Sequence, residues 1–290
     1  MDASNAATLA FVSATQIAQN LAFINWTVLT GLALGSYAAV ALLRRRTAAT
    51  RGYLGFTTGC AVAFGVLAWA SDGALPASLG SSPVTVDPDW DGPRAAALGI
   101  FCVVAAGGLI ARLVAPRVAA AVELAALAAA GATLAFGALG WGGGSLGPIA
   151  LLAQLVVVSA ATGGVFAAMI LGHWYLVTPK LPEAPLILLA RTLFAVVIVQ
   201  VVLFWAWIAT GAGPADGAPF AALVGPWALF VWLRLIVGLI FPLIVSWAAV
   251  QTARSRSMES ATGLLYINVG SIAAGTILAA GLYFGAGLLV

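Results

Sequence analysis

Apolar runs of about twenty residues recur along the chain, and short polar stretches separate them. The runs read as Leu21–Leu43, Tyr53–Ala70, Ala95–Leu113, Val118–Leu139, Ile149–Leu176, Leu186–Ile208, Pro226–Val250 and Leu264–Leu289. A run of about 20 apolar residues matches the hydrocarbon thickness of a bilayer. Backbone in lipid must satisfy its own hydrogen bonds, so each run predicts a helix. The two-residue alternation of a membrane barrel is absent. The expected fold class is all-α: a polytopic integral membrane protein of about eight transmembrane helices, forming a single bundle over residues 1–290.

The polar stretches carry an alternating charge. Arg44, Arg45, Arg46 and Arg51 follow the first run, Arg112 and Arg117 the third, Lys180 the fifth, and Arg254 and Arg256 the seventh. The intervening stretches hold Asp72, Asp87, Asp89, Asp91 and Asp216, with Arg94 as the one basic exception. Lys and Arg excess marks cytoplasmic loops. Both termini are therefore expected outside, in a multi-pass protein of the inner (cytoplasmic) membrane. The chain starts without a basic leading segment and carries Asp2 instead, which predicts no cleaved signal peptide.

Composition sharpens the class. Hydrophobic residues make up 63% and charged residues 7%, against about a quarter charged in soluble domains. The bilayer is the expected surrounding. The net charge of +3 is no nucleic-acid signal, because the arginines stand at helix ends. Cys60 and Cys102 lie inside apolar runs and read as buried thiols.

Small and aromatic residues suggest how the helices meet. Gly31 and Gly35, Gly55 and Gly59, and Gly281 and Gly285 form GxxxG pairs, and Gly163, Gly164, Ala167 and Ala168 line part of the fifth run. Such residues let backbones approach, so all are expected to pack inside the bundle. Thr30-Gly31 can be laid on Thr162-Gly163, which allows a weak four-plus-four repeat over 1–145 and 146–290. Trp26, Trp69, Trp141, Trp205, Trp207 and Trp227 fall near the expected outer ends, and Trp174 and Trp247 near the inner ends. Headgroup anchoring is the plain expectation for each. Pro179 should stop the fifth helix, and Pro185 and Pro226 should open the next two. Pro242, inside the seventh run, should kink it and free a carbonyl toward a neighbour.

Chemistry is sparse. Asp87-Pro-Asp-Trp-Asp-Gly92 matches the opening of a calcium loop. Leu98 stands where a closing Glu is needed, so Asp87, Asp89 and Asp91 read first as an acidic outer loop or docking surface, with calcium the weaker alternative. Arg234, Gln200, Asn25 and Gln154 are intramembrane polar residues. Arg234 lies in the outer half of its run, where a snorkelling side chain would reach the outer interface, with Asn25 and Gln154 as possible partners.

His173 is the only histidine. One His cannot supply the ligand pair of a b-type haem, and Met169 stands on the same helix face, so no haem or metal ligand set is evident. The remaining chemistry is hydrogen bonding or proton transfer at a quinone carbonyl. Trp174 and Tyr175 would add a stacking wall and a hydroxyl, and Arg191 a counter-charge. Glu123 and Tyr266 would complete an inner-interface cluster, if the bundle gathers these helices. The plainer alternative for His173, Trp174 and Tyr175 is an interfacial belt that pins helix depth.

By elimination, the expected function is that of an integral membrane subunit of a larger redox or energy-converting complex, with partner subunits. It would act as an anchor, alone or also as the quinone-interacting subunit, without catalysis of its own. A small secondary transporter or channel is the alternative, and a structural or assembly role a further one. On this reading His173→Ala disturbs quinone-linked activity and Gln200→Leu does little.

Overall fold

The computed structural model describes residues 14–80, 82–143, 147–178, 181–214 and 217–290, with side chains from residue 20 onward. Its helices are α1 (Ala14–Arg46), α2 (Arg51–Asp72), α3 (Asp91–Val114), α4 (Ala119–Trp141), α5 (Gly147–Val177), α6 (Ala184–Thr210), α7 (Ala228–Leu235), α8 (Phe241–Arg254) and α9 (Met258–Ala286). A π-helical turn, Ile236–Ile240, joins α7 to α8, so the two make one span. Among the described residues 8 helices are long and apolar enough to cross a membrane. The protein is therefore an all-helical, multi-pass membrane protein in contact with a lipid bilayer.

Every expected run is a helix, and the ends differ in physical ways. α9 begins at Met258 rather than Leu264, because the polar Glu259 and Ser260 form its first turn beyond the apolar stretch. Thr50 caps α2 by accepting from the Tyr53 amide. Gly211 and Gly287 close α6 and α9 in the left-handed conformation that glycine adopts without strain.

The helices order themselves around α1 and α5, each 72% buried along its span where the others reach 33–44%. These two cross with backbones in contact. A Cβ on Gly35 would stand 1.9 Å from the Ser159 carbonyl oxygen, and one on Gly163 2.1 Å from the Ser36 amide. The Ser36 hydroxyl donates to the Gly163 carbonyl at 3.2 Å across this crossing. α2, α3 and α4 wrap one side of the central pair, and α6, α7–α8 and α9 the other. The order of neighbours on the two sides matches: α1–α2–α3–α4 against α5–α6–α8–α9, with α4 returning to α5 and α9 to α1.

The glycine pairs divide. Gly31 and Gly35 pack on α5 as expected, and Gly281 and Gly285 meet Ile24 and Asn20 of α1. Among the described residues nothing lies within 4 Å of a Cβ on Gly55, Gly59 or Gly164, so these three face outward. For those residues the expected inward packing is corrected. The loops from α1 to α2, α3 to α4 and α8 to α9 define a basic end. Asp72, Asp87, Asp89 and Asp91 lie at the other end, where Asn20 and Gly285 also meet. Lys180, Pro179 and Asp216 lie outside the described residues.

Candidate functional site

Successive residues on a helix point about 100° apart, and that separates His173, Trp174 and Tyr175. His173 is exposed and its Nδ1 lies 3.3 Å from the Tyr266 hydroxyl on α9. Trp174 turns to α2, where its ring packs by Gly52, Tyr53 and Phe56. Tyr175 is buried and donates to the Pro182 carbonyl, closing the loop before α6. Arg191 is exposed on α6 and forms no ion pair among the described residues. Of the six residues expected to cluster, only His173 and Tyr266 meet.

The surroundings of that pair are open. Gly263, Tyr266 and Gly270 share one face of α9 by their spacing. Among the described residues a Cβ on either glycine would meet nothing within 4 Å. The tyrosine ring therefore stands 47% exposed between two bare stretches of backbone. When Tyr266 donates to Nδ1, the imidazole carries its proton on Nε2 and can donate it to a carbonyl.

Glu123 belongs to a different constellation. It is buried at the basic end of α4 and receives Arg44 from α1 and Arg112 from α3, the latter at 2.6 Å. Arg45 adds an ion pair at 3.2 Å. Both carboxylate oxygens are thereby occupied, which removes Glu123 from any site at His173.

Arg234 corrects a second expectation. It does not snorkel: only 2% of it is exposed, and its guanidinium turns away from the acidic end. Nη1 donates to the Gly238 carbonyl at 3.2 Å, one turn deeper, and Nη2 to Gln200 Oε1 at 3.0 Å. Nε has no partner. Pro242 explains the geometry. Lacking an amide hydrogen, it leaves carbonyls of the preceding turn without helical donors. Arg234 takes the Gly238 carbonyl, and the Ser271 hydroxyl takes that of Val237 at 2.5 Å. The kink expected at Pro242 is thus a π turn, and the neighbours that use its carbonyls are Arg234 and Ser271. Room for the guanidinium comes from Gly238 and Gly275. A Cβ on Gly275 would stand 2.8 Å from Nη1. Gly275 lies about 25 Å along α9 from Met258 at 1.5 Å per residue, deep in the span.

The other intramembrane residues are accounted for. Gln200 also donates to the Val157 carbonyl at 3.2 Å, tying α6 to α5. Gln154 is not a partner of Arg234; it donates to the Val290 carbonyl at 2.6 Å. Asn25 is exposed on α1.

At the acidic end, Arg94 is not a loop charge but a core residue, 1% exposed. Its Nε and Nη2 donate to the two Asp72 oxygens at 2.9 and 3.2 Å, and Nη1 to Asp91 at 2.7 Å. Trp26 donates to Asp72 at 2.7 Å, and the guanidinium lies 4.7 Å from the Trp141 ring centre. Trp26 and Trp141 are therefore buried walls of this cluster and not headgroup anchors. Asp91 is engaged by Arg94, and Asp87 caps the Asp89 amide at 3.1 Å. Among the described residues no group of three or more His, Cys, Asp or Glu side chains is placed to hold a metal ion.

Sequence reasoning missed the Arg94–Asp72–Trp26 cluster, since both charges fall at the margins of apolar runs. The one basic residue in the acidic loops was the available signal. No known family model matches the chain, and a search of curated proteins finds no match.

Proposed function

We propose that this chain is an integral membrane subunit of a larger electron-transfer complex, anchoring its partners and receiving a quinone at His173 and Tyr266. The observation that supports this reading is the hydrogen-bonded pair on the α5–α9 seam, laid open between Gly263 and Gly270. A flat ring entering from lipid can lie on that bare backbone, and the imidazole Nε2–H or the tyrosine hydroxyl can donate to its carbonyl. In the same reading the basic end is cytoplasmic, both termini are outside, and the membrane is the inner membrane; the alternating arginines support that orientation.

The test is the quinone retained by the purified chain and turnover with a quinol in native vesicles. His173→Ala and Tyr266→Phe are each expected to lower retained quinone about tenfold, the worth of one good hydrogen bond. Wild-type quinone content and turnover in both variants would remove the site.

The small-transporter reading rests on Arg234, a deep cation with neutral partners. In that case a flux assay finds Arg234 the sensitive position and His173 silent.

A further inference from the structure

The cluster around Glu123 carries more positive than negative charge. Three guanidinium groups converge on one carboxylate: Arg44, Arg45 at 3.2 Å and Arg112 at 2.6 Å. They come from two helices, α1 and α3, onto a third, α4. The other described acids are elsewhere. Glu183 pairs with Arg256, Glu259 opens α9, and Asp72, Asp87, Asp89 and Asp91 lie at the opposite end. The site therefore holds an excess of about two positive charges at neutral pH.

That charge is prearranged and reachable. Glu123 is 3% exposed, so the carboxylate anchors from within, while Arg44, Arg112 and Arg45 are 16%, 29% and 47% exposed. Each guanidinium has five N–H donors in a planar fork. The contacts with Glu123 use a minority of them, which leaves donors for a second anion. Arginine forks match the tetrahedral oxygens of phosphate better than any other side chain. Apolar side chains exposed beside the cluster continue the geometry into the membrane: Ile110, Leu113 and Val114 on α3, Val118 in the turn, and Leu124 directly after Glu123. A ligand that satisfies both parts has a phosphate at the interface and acyl chains below it.

We propose that Arg44, Arg45 and Arg112, held in place by Glu123, form a binding site for the phosphate of an anionic phospholipid at the basic end of the α1–α3–α4 bundle. The site is independent of the quinone reading, since His173 and Tyr266 lie on the α5–α9 seam. One phosphodiester carries a single negative charge and so halves the excess that Glu123 leaves. Guanidinium groups near a membrane surface gain from such lipids, by roughly a fivefold affinity step each.

The experiment is native mass spectrometry of the full chain in mild detergent, with phosphatidylglycerol and phosphatidylcholine of matched chains supplied together. The wild type is expected to retain phosphatidylglycerol about tenfold over phosphatidylcholine. The Arg45→Gln/Arg112→Gln pair, which leaves Arg44 to balance Glu123, is expected to lose that preference. The exposed Arg45→Gln alone should lower it partway with little effect on folding. Glu123→Gln keeps an amide oxygen to hold the guanidinium groups and removes the negative charge, so it moves the preference in the opposite direction. A merely structural role would lower the thermal stability of these variants without opposite-signed changes in lipid choice. Equal retention of the two lipids by the wild type overturns the proposal, as does a preference that survives the double substitution. Displacement of phosphatidylglycerol by millimolar inorganic phosphate or glycerol phosphate would show a free-phosphate site instead, and that also overturns it.

Discussion

Two buried arginines divide this molecule. Arg94, on α3, is held by two carboxylates, and two tryptophan rings lie over its guanidinium. Arg234, on α7, has an amide oxygen, a backbone carbonyl and an Nε without a partner among the described residues. Their settings are otherwise alike. Each sits on the third helix of its side of the bundle. Each reaches the second helix, through Asp72 or Gln200, and that partner contacts the first, through Trp26 or the Val157 carbonyl. The difference is the carboxylate. Where it is present, charge is neutralised locally and the cluster works as architecture. Where it is absent, the guanidinium is held by neutral acceptors alone, which is costly deep in a membrane span.

The largest effect should come from Arg94→Leu. It strands Asp72, buried and charged, without its cation, and breaking a buried pair costs about 3–5 kcal/mol. Loss of the folded fraction or a large fall in Tm in detergent is the expected outcome. Arg94→Leu/Asp72→Asn should recover part of it, since no buried charge is left unpaired and the amide oxygen still accepts from Trp26. A single variant with wild-type Tm would break the comparison at its stronger side.

Gln200→Leu comes next. Sequence reasoning expects little effect on quinone-linked activity, and the structure adds a cost in stability, because among the described residues Gln200 is the only side chain that accepts from Arg234. Removing a partner from a buried charged donor costs about 1–3 kcal/mol. A clear fall in Tm is expected, smaller than for Arg94→Leu, and largely abolished when Arg234→Met is added. If Gln200→Leu costs nothing, the guanidinium has another acceptor and the contrast with Arg94 weakens.

What was legible follows the same line. Span number and the basic and polar ends were readable because length and charge are one-dimensional properties. The face each residue takes was not. α4, α5, α6 and α9 carry apolar residues on every face, so no apolar stripe tells core from lipid. That is why Gly55 and Gly59 were expected inside, Trp26 and Trp141 outside, and Trp174 and Tyr175 beside His173. Arg234 and Gln200 were singled out as costly residues but not as a pair, since 34 positions separate them. The three-arginine cluster on Glu123 was visible only as helix-end charge.

The smallest effect tests the cause of Arg234's geometry. Pro242→Ala restores an amide hydrogen that can take the Val237 or Gly238 carbonyl. One hydrogen bond then replaces another, so stability should change by less than about 1 kcal/mol. The informative quantity is coupling. If Arg234 leans on the carbonyl that proline frees, Pro242→Ala and Arg234→Met should be non-additive, with an interaction of about 0.5–1 kcal/mol in a double-mutant cycle read from unfolding in detergent. Additivity would mean that the π turn and the guanidinium are neighbours without dependence. Arg234 would then owe its depth to Gly238, Gly275 and Gln200, and the missing carboxylate would be the whole of its difference from Arg94.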